Sequence, residues 1–210
     1  MNRRCGFTQD GWLDGAVRCP SPNCDARPEG MDIELAVIHA ISLPPEEFGG
    51  DGVERLFTNR LEPDAHPYYA RIQALRVSAH FFIRRDGQLL QFVPIHARAW
   101  HAGASCWEGR SRCNDFSVGI ELEGCDSLPF ELQQYEALAD LVADLAHACP
   151  LRALAGHSDI APGRKTDPGP HFSWPRFAAL LAPRVTVSHP LADWLRGRAP
   201  ARAAEDCGDA

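Results

Sequence analysis

The chain has 210 residues, 45% of them apolar, which suits one globular domain with a sizeable core better than two small ones. Its formal charge of −7, with basic residues scattered singly or in pairs, argues against a nucleic-acid-binding face, because neutralising phosphates needs a concentrated Lys/Arg excess. No apolar run approaches membrane-spanning length, and Gly, Gln and Asp follow Arg3 and Arg4 where a secretory signal needs continuous apolar residues, so a cytoplasmic protein is expected.

Residues 1–30 are rich in Pro, Gly and Arg and predict an irregular arm. Its Cys19 and Cys24, with Cys106 and Cys113, lack the CxxC spacing of a structural zinc site, so the eight cysteines are expected to be mostly reduced thiols. Leu35 to Ile38 is a short, wholly apolar, partly branched run that predicts a strand buried on both faces, with His39 at its end. PPEEFGGDG is a loop whose Gly49 and Gly50 make it a candidate lid, and Val53 to Thr58 suits a short helix. From Val77, VSAHFFIRRDGQLLQFVP predicts two strands joined at Arg85-Asp86-Gly87, because Asp-Gly supplies the positive φ of a tight hairpin turn.

Phe116 to Glu123 alternates, with Val118, Ile120 and Leu122 on one face and Gly119, Glu121 and Glu123 on the other. Between Glu131 and Ala148 apolar residues recur every three or four positions, predicting an amphipathic helix stopped by Pro150. Ala153 to Ala155 then leads into the loop GHSDIAPGRKTDPGP, after which Ser173 can cap a helix running to Leu181 with Pro175 in its first turn. These elements describe an α/β (α+β) domain, a central mixed sheet flanked by helices, over residues 11–183. The remainder, 184–210, is expected to be a partly disordered tail with one apolar cluster at Leu191 to Leu195.

His39, His157 and Asp167 each end or interrupt one of these stretches. Two neutral imidazoles and a carboxylate leave the fourth tetrahedral position of a Zn²⁺ ion open to water, which is the pattern of a catalytic site. Nine histidines can be combined into many triads, however, so the residues alone leave the ligand set open. Glu121 and Glu123 share a strand face, and alternation does not choose between them as a general base.

The blocks VIHAISLPPEEFGG, LFTNRLEPDAHP, LRVSAHFFIRRDG, RAWHAG, GRSRCNDFSVGIELEG and GHSDIAPGRKTDPGP occur in this order between Gly11 and Leu181. Together they resemble the type 2 N-acetylmuramoyl-L-alanine amidase and peptidoglycan-recognition superfamily. The resemblance implies one Zn²⁺ per chain, with His39, His157 and Asp167 as ligands. It implies Glu121 as the base and Lys165 as the oxyanion stabiliser, and it points to Arg76 and Arg112 for peptide carboxylates and Trp100 for the sugar. The implied activity is hydrolysis of the amide between the lactyl group of 1,6-anhydro-N-acetylmuramic acid and L-alanine. Its implied setting is cytoplasmic peptidoglycan recycling by a monomer, with an indirect influence on β-lactamase induction.

The alternatives are a broader amidase acting on intact murein and a muropeptide-binding module without catalysis. Complete retention of the ligand set and base argues against the second. One departure stands out: Ala40 occupies the position where the family carries an Asn after its first histidine. His80 and His101 could line the groove without being ligands, a structural role being expected for His80, and His66, His96, His147, His171 and His189 are assigned to surface or packing.

Overall fold

The computed structural model describes residues 6–186 and 188–197. Its strands are β1 (Val17–Arg18), β2 (Cys24–Ala26), β3 (Leu35–Ile41), β4 (Phe81–Ile83), β5 (Leu89–Gln91), β6 (Ala97–Ala99), β7 (Cys106–Trp107), β8 (Arg110–Ser111), β9 (Ser117–Glu123) and β10 (Ala153–Gly156). Its helices are α1 (Gly52–Phe57), α2 (Pro67–Ile72), α3 (Leu132–Ala148), α4 (His157–Ile160), α5 (Trp174–Leu181) and α6 (Leu191–Gly197). The main sheet has the order β1-β5-β4-β9-β3-β10, parallel throughout except between β4 and β5. This is the mixed, helix-flanked sheet expected from the sequence.

The apolar run at Leu35 makes β3, an interior strand between β9 and β10, which continues to Ile41, so His39 lies within the strand and not at its end. The β4–β5 hairpin turns where expected: Gly87 has φ 86°, and Asp86 Oδ1 accepts from the Gln88 N–H at 2.9 Å. α3 begins at a capping box in which the Gln134 side chain accepts from the Glu131 N–H at 3.0 Å, and it ends at Ala148, two residues before Pro150. At α5, Ser173 accepts from the Arg176 N–H. The short α2 was not foreseen, because six residues are too few for a periodicity; Pro67 fills its first turn and the His66 ring caps it.

Alternation along β3, β4 and β9 sorts their side chains onto two faces. Ala36, Ile38, Phe81, Ile83, Val118, Ile120 and Leu122 face α3 and α5 and form the main core with Tyr135, Leu138, Leu141, Val142, Leu145 and Phe177. On the opposite face, Phe82 and Leu90 pack with residues of α1 and α2. Farther along that face, Leu35, Val37 and Ala155 pack under Ala102, Trp107, Cys113 and Phe116 from the segment before β9. Between those two apolar patches lie His39, Gly119 and Glu121.

Both ends of the chain are more integrated than expected. The N-terminal arm adds β1 to the sheet beside β5 and pairs β2 with β6, and Leu13 is buried in the main core. Beyond the boundary expected at 183, Val185 and Leu191 are buried in that same core and α6 lies against β10. The rest of the expected tail, 198–210, lies outside the described residues. Cys19, Cys24, Cys113, Cys125 and Cys149 are free thiols, whereas Cys106 is disulfide-bonded. No helix among the described residues is long and apolar enough to cross a membrane.

Candidate metal and catalytic site

Register brings the site together. His39 on β3 pairs with Glu121 on β9, so both side chains rise from the same face about 4.8 Å apart at the backbone. Gly156, the last residue of β10, pairs with Ile38, which delivers the next residue, His157, beside His39. Gly156 also admits the returning loop: a Cβ there would sit 2.8 Å from the Pro168 ring. The loop is pinned where the Ser158 N–H donates to the Asp167 carbonyl at 2.9 Å, which turns the Asp167 side chain towards both histidines.

His39 Nδ1 and His157 Nδ1 are 2.9 Å apart, and each lies 3.0 Å from Asp167 Oδ2. The opposite ring nitrogens are already engaged. His157 Nε2 lies 3.1 Å from the Ala102 carbonyl, which can only accept, so the proton is on Nε2 and Nδ1 presents a lone pair. His39 Nε2 meets His101 Nδ1 at 2.9 Å. Two imidazole lone pairs and a carboxylate oxygen therefore converge, an arrangement that repels itself unless a cation sits among the three atoms. Among the described residues this is the one group of His, Cys, Asp and Glu whose donor atoms converge in this way. The donor set of two imidazoles and a carboxylate fits a zinc ion and leaves the fourth tetrahedral position to water.

The local electrostatics keep these groups ready to bind a cation. Burial pushes the His39 imidazole down to about 4, with Asp167 working against the shift. Glu121 is pushed well above its ordinary 4.5, first by burial and then by the Asp167 charge, while Lys165 pulls the other way.

The two strand-face glutamates differ in what they touch. Glu123 accepts from the Gly49 N–H at 2.5 Å and the Arg85 N–H at 3.0 Å, which ties it to two loops. Glu121 Oε2 is buried without any hydrogen-bond partner. A carboxylate that is desolvated and uncommitted beside a metal-shaped cluster is suited to moving a proton. Lys165 is exposed on the 161–167 loop, near enough to act electrostatically on Glu121 and His39.

The expected substrate contacts lie farther out. Arg76 is exposed and donates to the Gln73 and Leu75 carbonyls, and Arg112, also exposed, has φ 61° and pairs with Asp115 at 3.2 Å. Trp100 is half-buried, and its backbone N–H donates to the Ser78 hydroxyl oxygen at 3.1 Å. None of the hydrogen bonds or ion pairs described for these three reaches the His–His–Asp cluster. Ala40 falls on the helix side of β3, packed against the main core, so the departure from the family pattern is on the face opposite His39.

His101, Asn114, Ser117 and Gly119 also build the site, although no local sequence pattern singles them out. Asn114 Oδ1 accepts from the N–H groups of His101 and Ala102 at 3.2 and 2.8 Å. A Cβ on Gly119 would lie 2.4 Å from the His101 ring, so glycine is required for that ring to lie over β9. The signal was present as the blocks RAWHAG and RCNDFSVG, but no periodicity joins them. His80, by contrast, accepts from the Gly119 N–H at 3.1 Å and donates to the Ala97 carbonyl, which makes it a link between β6 and β9.

Comparison with known proteins places the chain in a family. The family model described as N-acetylmuramoyl-L-alanine amidase matches residues 29–170. The chain is 56% identical over 174 residues to the 1,6-anhydro-N-acetylmuramyl-L-alanine amidase AmpD of Salmonella typhimurium strain SL1344, covering 82% of this chain and 93% of that protein. The crystal structure of a selenomethionine AmpD derivative superposes with a TM-score of 0.81 at 53% identity, over 86% of this chain and 99% of that one. The Escherichia coli amidase AmiD, solved in complex with anhydro-N-acetylmuramic acid-L-Ala-D-γ-Glu-L-Lys, superposes with a TM-score of 0.53 at 26% identity, over 85% and 66% of the two chains.

Proposed function

The chain belongs to the N-acetylmuramoyl-L-alanine amidase family, and from that premise we propose that it hydrolyses the amide joining the lactyl group of 1,6-anhydro-N-acetylmuramic acid to L-alanine. The observation that carries this is the meeting of three metal-binding atoms from His39, His157 and Asp167 beside the unpartnered carboxylate of Glu121. Similarity to AmpD over most of both chains supports the anhydro sugar as substrate and cytoplasmic recycling as the setting.

His39, His157 and Asp167 would hold one zinc ion, which when bound supplies an electrophile for the scissile carbonyl and lets water act as a nucleophile near neutral pH. Glu121 takes a proton from the attacking water and returns one to the departing amine nitrogen of L-alanine, a role for which its raised pKa suits it. The Lys165 ammonium stabilises the oxyanion as the carbonyl carbon becomes tetrahedral. Arg76 and Arg112, both exposed, are proposed to pair with peptide carboxylates, and Trp100 to offer a flat apolar surface to the sugar.

The test is release of free peptide from purified anhydro-N-acetylmuramyl-tripeptide by zinc-loaded wild type and by Glu121→Ala, with the ordinary N-acetylmuramyl-tripeptide alongside. Zinc-dependent cleavage of the anhydro compound, lost in the variant, is expected. No release from either sugar by a protein shown to hold zinc would overturn the assignment.

A further inference from the structure

The two candidate ligand histidines each turn one ring nitrogen away from the metal position, and consecutive residues meet them. The His157 Nε2–H donates to the backbone carbonyl of Ala102 at 3.1 Å, and His39 Nε2 meets the side chain of His101 at 2.9 Å. The direction of the second contact follows from the far end of the chain of bonds. The Ser117 hydroxyl donates to the Cys113 carbonyl at 2.6 Å, so its oxygen is left to accept from His101 Nε2, 3.2 Å away. With its Nε2 protonated, a neutral His101 has an Nδ1 that can only accept, and the proton between the rings belongs to His39 Nε2. The His39 Nδ1 lone pair is thereby aimed at His157 and Asp167.

Three further features hold residues 101 and 102 in place. Asn114 Oδ1 accepts from both of their backbone N–H groups, at 3.2 and 2.8 Å. The Arg164 guanidinium donates to the Ala102 carbonyl at 2.9 Å, sharing it with His157. Gly119 leaves the space that the His101 ring occupies over β9.

We propose that His101 is a positioning residue of the zinc site, and that residues 101–102 brace both ligand histidines by fixing which nitrogen of each ring faces the metal. This rests on the assignment of His39 and His157 as ligands. A ligand imidazole whose other nitrogen donates to a fixed acceptor is more basic and loses less freedom on binding the ion. The brace comes from the segment that covers the site, so it does not depend on substrate.

The experiment measures zinc affinity by competition with a chelating dye in wild type, His101→Phe and His101→Gln. Long-range ¹H–¹⁵N spectra of the imidazoles are recorded on the same proteins with and without zinc. Phe keeps the ring volume over Gly119 and removes both hydrogen bonds, whereas the Gln amide oxygen can still accept from His39. The expected results are a loss of zinc affinity of about 10- to 100-fold in His101→Phe and partial recovery in His101→Gln. In wild type, His101 and His39 should both be Nε2–H tautomers, and the His39 Nε2–H signal should be lost to exchange in the Phe variant.

If wild type and folded His101→Phe bind zinc with affinities within about twofold, the brace is overturned while the ligand assignment stands. If wild type binds no zinc, the assignment falls and the brace with it. Should His101→Phe not fold, the wild-type spectra decide: an Nδ1–H tautomer at His101 in the zinc-loaded protein overturns the proposal.

Discussion

The two faces of β3 and β9 bury their side chains by different means. On the helix side, Ile38, Ile120 and Leu122 disappear beneath Leu138, Leu141 and Val142, and dispersion with removal from water is sufficient. On the opposite side, His39, Ser117, Glu121 and Glu123 are almost as completely buried, yet they are polar, and each has to find a partner or stay expensive. Ser117 and Glu123 find theirs in nearby backbone groups. His39 is satisfied on one side only, its Nε2 meeting His101 while its Nδ1 turns a lone pair towards two other acceptors, and Glu121 keeps an oxygen without a partner. One face thus supplies stability and the other stores unfavourable contacts that a metal and a substrate can relieve.

Substitutions on the two faces should therefore separate stability from chemistry. The largest effect on activity is expected from His157→Ala, which leaves two of the three converging atoms: stoichiometric zinc after dialysis and peptide release should both vanish, as they should on chelation of wild type. Glu121→Gln should keep the zinc and lower kcat by about 10²- to 10⁴-fold. The same variant should move stability the other way. Burial raises the Glu121 pKa above its ordinary 4.5, so in the metal-free protein the folded state holds the proton longer than the unfolded one and stability falls as pH rises above that value. Metal-free Glu121→Gln should therefore melt higher than wild type at neutral pH, with the advantage shrinking as pH drops towards 4.5; equal melting curves at pH 7 would contradict this.

Lys165→Ala should cost about 10²-fold in kcat with little change in melting temperature, because its side chain is exposed. Leu138→Ala, on the other face, should cost about 2–5 kcal/mol of stability, read from denaturant curves, and leave zinc affinity and kcat at 25 °C unchanged. A fall in kcat from that core change would mean that the two faces are coupled.

The helix side was legible in the sequence because apolar burial leaves a period: two residues in β9, three or four in α3. The site side was legible only in part. Alternation placed Glu121 and Glu123 together but could not say which would be tied down, since that depends on the Gly49 and Arg85 N–H groups arriving from separate loops. The short elements α2 and α4 and the integration of β1 and α6 depend on tertiary packing, which no local pattern encodes. His101 was ambiguous for a similar reason. Its value lies in two neighbours, His39 and Ser117, that are 62 and 16 positions away.

The convergence of β3 and β10 also sets an order of events. His39 and His157 are separated by 118 positions, and His39 and Asp167 by 128, so the cluster closes a long loop of the domain. A chain leaving the ribosome holds a single member of the trio until nearly all of the domain has emerged. Truncated products ending before β10 would be unable to retain the ion, and capture of the metal would mark the completion of folding rather than initiate it.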